Sequence, residues 1–201
     1  MKLAIFFIIL LSTNLCWADI KKEIPIEQKT IFGLVLGEST KQDVFTKFVE
    51  TAPWKREDTK HAPYLYCYKL ISKKPAWVIH GFGWAWSFEK NDSIRVTHNK
   101  SDIIGTCKET NVTIEQLKTN GGIFLGMPKH KAISLIPDKP KIEGNKYTYS
   151  YDVYEKYKEP RTYPTSTFTY VGEYHYGVIE YQFNSNSLES YYIWVSGEPD
   201  W

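Results

Sequence analysis

The sequence predicts an α+β protein of two tandem repeats, each a helix pair packed on a three- to four-stranded antiparallel sheet. Two observations carry this expectation. The first is an internal duplication. Ile26 to Phe48 reads IEQKTIFGLVLGESTKQDVFTKF, and from Ile114 the chain reads IEQLKTNGGIFLGMPKHKAISLI. Ile26-Glu27-Gln28 answers Ile114-Glu115-Gln116, Gly33 answers Gly122, and Leu36-Gly37 answers Leu125-Gly126. The second is that apolar spacing changes from helical to alternating after each copy.

In copy one, Ile26–Thr30 reads as a short helix, followed by an apolar run that Gly37 ends. Ser39 with Gln42 three residues on forms a capping-box pattern. The helix it opens carries Val44, Phe45, Phe48 and Val49 on one stripe, and Pro53 limits it. In copy two, Thr113 with Gln116 is again a capping box and Gly121 is a stop. Pro128 sits near the start of the second helix, where its missing donor is tolerated. That helix shows Ala132, Ile133 and Ile136, and Pro137 ends it.

The strands come next. Tyr64-Leu65-Tyr66-Cys67-Tyr68-Lys69-Leu70 and Tyr147-Thr148-Tyr149-Ser150-Tyr151-Asp152-Val153 both place tyrosine at every second position. Copy two continues with a loop, Lys156 to Pro164, and a Thr-rich strand, Thr165 to Val171. Phe82, Trp84, Trp86 and Phe88 fall on one strand face, matched by Ile179, Tyr181 and Phe183. Asn91 and Asn186 mark the turns that follow, and Ile94–His98 and Leu188–Val195 close the two copies. Gly81-Phe82-Gly83, inside a strand pattern, marks a bulge. The expected divisions are 1–18, 19–109 and 110–201, with the boundary between repeats near Lys108 to Asn111.

The first division has the layout of a signal peptide: Lys2, an apolar run from Leu3 to Leu11, then Cys16-Trp17-Ala18. The run is shorter than the roughly 20 residues a spanning helix needs; a retained anchor is the alternative. Leu15 before Cys16 argues against lipidation, and the expected mature chain starts at Asp19. Without Lys2, 24 basic residues stand against 23 acidic, a net charge of +1. That is no footprint for nucleic acid or for anionic lipid, and no stable membrane insertion is expected. Cys67 and Cys107 remain in a chain read as periplasmic or secreted, so a disulfide closing about 40 residues is expected; two buried free thiols are the other reading.

Catalytic, metal and cofactor signals are not found. His61, His80, His98, His130 and His175 form no metal-ligand spacing, though His80 and His175 would approach each other if the two sheets abutted. No Gly-x-Ser-x-Gly elbow occurs. Asn91-Asp92-Ser93 and Asn111-Val112-Thr113 match the short glycosylation pattern. The informative excess is aromatic, with 15 Tyr and 7 Trp. The stripes Tyr64, Tyr66, Tyr68 and Tyr147, Tyr149, Tyr151 have two readings, as core or as a partner-binding surface, because tyrosine buries area and keeps a hydroxyl for bonding.

The order of elements, the duplication and the Leu-Gly step into a capped helix resemble the β-lactamase-inhibitor-protein fold and the small outer-membrane lipoproteins of the SmpA/OmlA type. In those families a Gly-Met-(Ser/Thr) step opens the helix and a valine follows inside it. Gly37-Glu38-Ser39 with Val44, and Gly126-Met127-Pro128 with Ile133, stand in those places. The lipobox of the lipoproteins is missing, and one candidate disulfide differs from the inhibitor pattern of one per unit. The resemblance implies a protein-binding role without catalysis, with a partner in the cell envelope or outside the cell. The alternatives are an envelope-assembly or structural accessory protein, and a hydrolase of unrecognised type.

Overall fold

A computed structural model describes residues 23–53, 64–83, 90–103, 105–162 and 169–200, with side chains described except at 153–158, 160–162, 169–174 and 197–200. The expected signal segment, His61, Trp84, Trp86 and Phe88 lie outside the described residues, as does the start of the Thr-rich strand.

The expected α+β architecture is corrected. The chain is mostly β, with one eight-stranded mixed sheet and three short α-helices among the described residues. The order is α1 (Ile26–Lys29), β1 (Thr30–Ile31), β2 (Leu34–Val35), α2 (Lys41–Lys47), β3 (Tyr64–Ile71), β4 (Trp77–Phe82), β5 (Asn91–Thr97), β6 (Lys108–Thr113), α3 (Lys129–Ser134), β7 (Lys141–Glu143), β8 (Lys146–Thr162), β9 (Thr169–Asn184) and β10 (Ser187–Asp200). The sheet runs β6-β3-β4-β5-β10-β9-β8-β7. Every neighbouring pair is antiparallel except β3 with β6.

The helix pairs fail for local reasons. Pro25 precedes α1, and its C-cap Thr30 is already extended, so one turn forms. The second copy's capping box exists, with Thr113 N donating to Gln116 Oε1 at 2.8 Å, but it closes only a 3-10 turn, Ile114–Leu117. The box opening α2 is one residue later than expected. Thr40 N donates to Asp43 Oδ2 at 2.7 Å, and Asp43 N donates back to Thr40 Oγ1 at 3.2 Å. These bonds hold the Asp43 carboxyl below its ordinary pKa. Ser39 instead accepts from Val35 N at 2.9 Å, bracing the turn after β2. α3 is squeezed between Pro128, its N-cap, and Pro137.

β1 and β2 form a two-residue hairpin. Phe32 (φ 52°) and Gly33 (φ 70°) are both left-handed, the turn whose twist suits a tight hairpin. The duplicated segments then meet: Asn120 N donates to Thr30 O at 2.9 Å and Gly121 N to Glu27 O at 2.7 Å. Between them Gln28, 3% exposed, donates through Nε2 to Leu135 O at 3.2 Å and accepts from Thr119 Oγ1 at 3.4 Å.

The sheet joins the copies through their closing strands. Ile94 of β5 faces Ile193 of β10, and Val96 faces Tyr191. The expected loop from Lys156 is strand as far as Thr162, with an irregularity between Lys156 and Arg161. Asn91, expected in a turn, opens β5 and is fully buried. The bulge expected at Gly81-Phe82 is present. One sheet face carries the core, where Val44 and Phe48 of the α2 region and Ala132 and Ile136 of the α3 region pack on the strands. That burial, not helix propensity, holds such short helices.

Cys67 on β3 and Cys107, just before β6, are bonded, with Cα atoms 4.7 Å apart. The link fastens the parallel edge strand to its neighbour. Closing 40 residues contributes on the order of 3–4 kcal/mol in the chain-entropy account.

Candidate functional site

The tyrosine stripes belong to the core. Tyr66, Tyr68, Tyr147, Tyr149 and Tyr151 are buried, and only Tyr64, at the start of β3, is exposed, at 41%. Alternation turns the even positions of β3 toward α2, where Phe45 meets Tyr66 edge-on at 5.2 Å and Phe48 stacks on Tyr68 at 4.9 Å. In copy two, Tyr147 packs on Phe183 at 5.2 Å and Tyr149 on Tyr181 at 5.6 Å. Burial pushes the Tyr149 phenol up to about 12 and lifts Tyr68 and Tyr181 further. A partner cannot reach these five side chains, so the reading of the stripes as a contact surface is corrected for all but Tyr64.

His80 and His175 do not converge. β5 and β10 lie between their strands, three sheet spacings or about 14 Å. His80 is fully buried against Phe48 and Tyr68. The Asn91 amide, donating to Ser93 O (2.9 Å) and Gly81 O (3.2 Å), accepts from His80 Nδ1 at 3.1 Å. Burial holds the His80 pKa down to about 3, with Asn91 opposing in part. Among the described residues no three His, Cys, Asp or Glu side chains stand together as metal ligands.

The opposite sheet face carries a different set of residues, which follows from register alone. Ile79, Arg95, Tyr192, Glu180 and Thr148 form one row across β4, β5, β10, β9 and β8. Trp77, Thr97 and Ser190 form the row on one side, and Gly81, Ser93, Trp194 and Val178 the row on the other. Trp77, Arg95, Tyr192, Trp194 and Glu180 are each half-buried. The Arg95 guanidinium lies over the Tyr192 ring, 4.8 Å from its centroid. Burial raises the Tyr192 phenol to about 12, with Arg95 and Ser93 opposing.

A shallow cleft of about 330 Å³ opens beside this pair, lined by Arg95, Asp102, Lys146, Glu180, Glu189 and Tyr192 among others. Its carboxylates are engaged. Asp102 Oδ2 accepts from Thr97 Oγ1 at 2.8 Å, Glu180 pairs with Lys146, and Glu189 pairs with Lys74 at 3.5 Å. The arrangement can present charge and flat aromatic area to a partner. The sequence reading did not single out these residues. The available signal was Tyr191-Tyr192-Ile193-Trp194, where large side chains occupy both faces of one strand. Comparisons with protein-family models, curated proteins and solved structures find no match for this chain.

Proposed function

We propose that this chain is a non-catalytic protein-binding module of the periplasm or extracellular space, and that its partner seats on the half-buried patch around Arg95 and Tyr192, on the sheet face opposite the core. The observation that carries the reading is the composition of that face. Trp77, Arg95, Tyr192 and Trp194 are half-exposed on adjoining strands, and Trp, Tyr and Arg are the residue types that dominate interface energetics. Strands hold them rigidly, so little side-chain entropy is lost on docking. Each cleft carboxylate is engaged by a neighbour, which suits charge display better than proton transfer. The disulfide fits an oxidising compartment.

The test places a photo-crosslinking residue at Gln182, exposed beside the cleft, and separately at Ile142, exposed on the β7 edge. Irradiation in envelope extract should join one protein to the Gln182 position and not to Ile142. Adding Tyr192→Ala should abolish that product while the protein stays folded at the assay temperature, as circular dichroism checks. Equal capture from both positions, or capture indifferent to Tyr192→Ala, refutes the assignment.

A further inference from the structure

We propose that Arg95 is the anchor for a side-chain carboxylate of an acidic segment of the partner protein; this rests on the reading of the Arg95–Tyr192 face given above. The guanidinium makes no hydrogen bond among the described residues. Its ionic neighbour, Asp102 Oδ2, stands 3.7 Å from Nη1, beyond hydrogen-bond reach, and accepts from Thr97 Oγ1 at 2.8 Å. Its other contact is the Tyr192 ring. Arg95 therefore lies over the Tyr192 ring and beside Asp102, with no hydrogen bond donated among the described residues and its side chain 34% exposed at the cleft. A planar fork of that kind pairs best with a two-oxygen anion.

Charge around the cleft favours the same ligand. In all three local ion pairs the cation is the more exposed member: 58% against 25% for Lys74 and Glu189, 34% against 18% for Arg95 and Asp102, and 41% against 22% for Lys146 and Glu180. The carboxylates are the more covered members and the cations the more solvent-exposed. An approaching surface meets positive charge first, although the pairs sum to zero. A carboxylate-bearing strand or loop is thus attracted, and a basic one is met by the outer cations.

The test uses the full chain and a capped hexaglutamate peptide, with capped hexalysine and inorganic phosphate as the other arms. The arginine Nε–Hε NMR signals at low salt report on Arg95 directly. Hexaglutamate should shift the Arg95 signal saturably and hexalysine should not. Arg95→Lys keeps the charge but loses the fork, and should weaken hexaglutamate binding about tenfold, followed on neighbouring amide signals. Absence of a saturable shift, hexaglutamate binding unchanged in Arg95→Ala, or an equal response to phosphate each overturns the proposal; the last would mark a general anion site. The two readings fail separately. If Tyr192→Ala abolishes partner crosslinking while Arg95→Lys crosslinks like wild type, the binding face stands and the carboxylate anchor falls.

Discussion

Asn91 accepts a hydrogen bond from Nδ1 of His80, 3.1 Å away, and together they place a fully buried imidazole against the core rings of Phe48 and Tyr68. The other ring nitrogen, Nε2, has no partner among the described residues. Burial holds the folded-state pKa down to about 3, against 6.5 for the free side chain. Between those values the unfolded chain binds more protons than the folded one, so stability falls as pH falls through the window. The contribution lost between pH 7 and pH 4.5 is on the order of 2–3 kcal/mol. Urea unfolding of wild type and His80→Gln across that range should give curves that diverge by this amount toward acid. Parallel curves would show that His80 is not the acid-sensitive group.

Tyr149 lies in the core, 1% exposed, with a hydroxyl that has no partner among the described residues. Truncation to alanine should cost roughly 3–5 kcal/mol, as core aromatic truncations do. Tyr149→Phe removes only the unsatisfied group and should be neutral or stabilising by about 1 kcal/mol. Thermal melts that moved in the same direction for both variants would contradict the packing described.

Gly121 is small because Gln28 occupies the space beside it. A Cβ at position 121 would stand 2.4 Å from Gln28 Nε2 and 2.5 Å from Cδ. Gly121→Ala should therefore expel the amide from its bonds to Leu135 and Thr119, at a cost of about 2 kcal/mol. Gln28→Ala should make the second change nearly silent. Additive losses in that double-mutant cycle would argue that the two sites are independent.

The disulfide gives a direct chemical readout. Unreduced, denatured protein should present neither Cys67 nor Cys107 to an alkylating reagent. Paired Cys67→Ala and Cys107→Ala substitutions should lower stability by about 2–4 kcal/mol. Recovery of two alkylated peptides without reductant would contradict the bond.

Local pattern made the strands legible. The Tyr-x-Tyr-x-Tyr alternation located β3 and the start of β8, and Gly81 marked its bulge. The number of faces was legible and their direction was not, because tyrosine suits both a dry core and a wet interface. The joining of β5 to β10 was hidden for another reason. Ile94 and Ile193 meet across nearly half the chain, and nothing local to either residue specifies the other. The candidate site inherits that difficulty. Arg95 and Tyr192 become neighbours only through that pairing, so no motif contains both.

The position of β10 also governs how such a chain assembles. Among the described strands β10 comes last in sequence, yet it lies between β5 and β9. During synthesis the first repeat must wait with the β5 edge bare, and the β8–β9 hairpin with the β9 edge bare, until residues 187–200 emerge to fill the gap. Open strand edges invite pairing with other chains. Closure across long loops is slow. A nascent chain of this design is most exposed to edge-to-edge aggregation just before its central strand arrives.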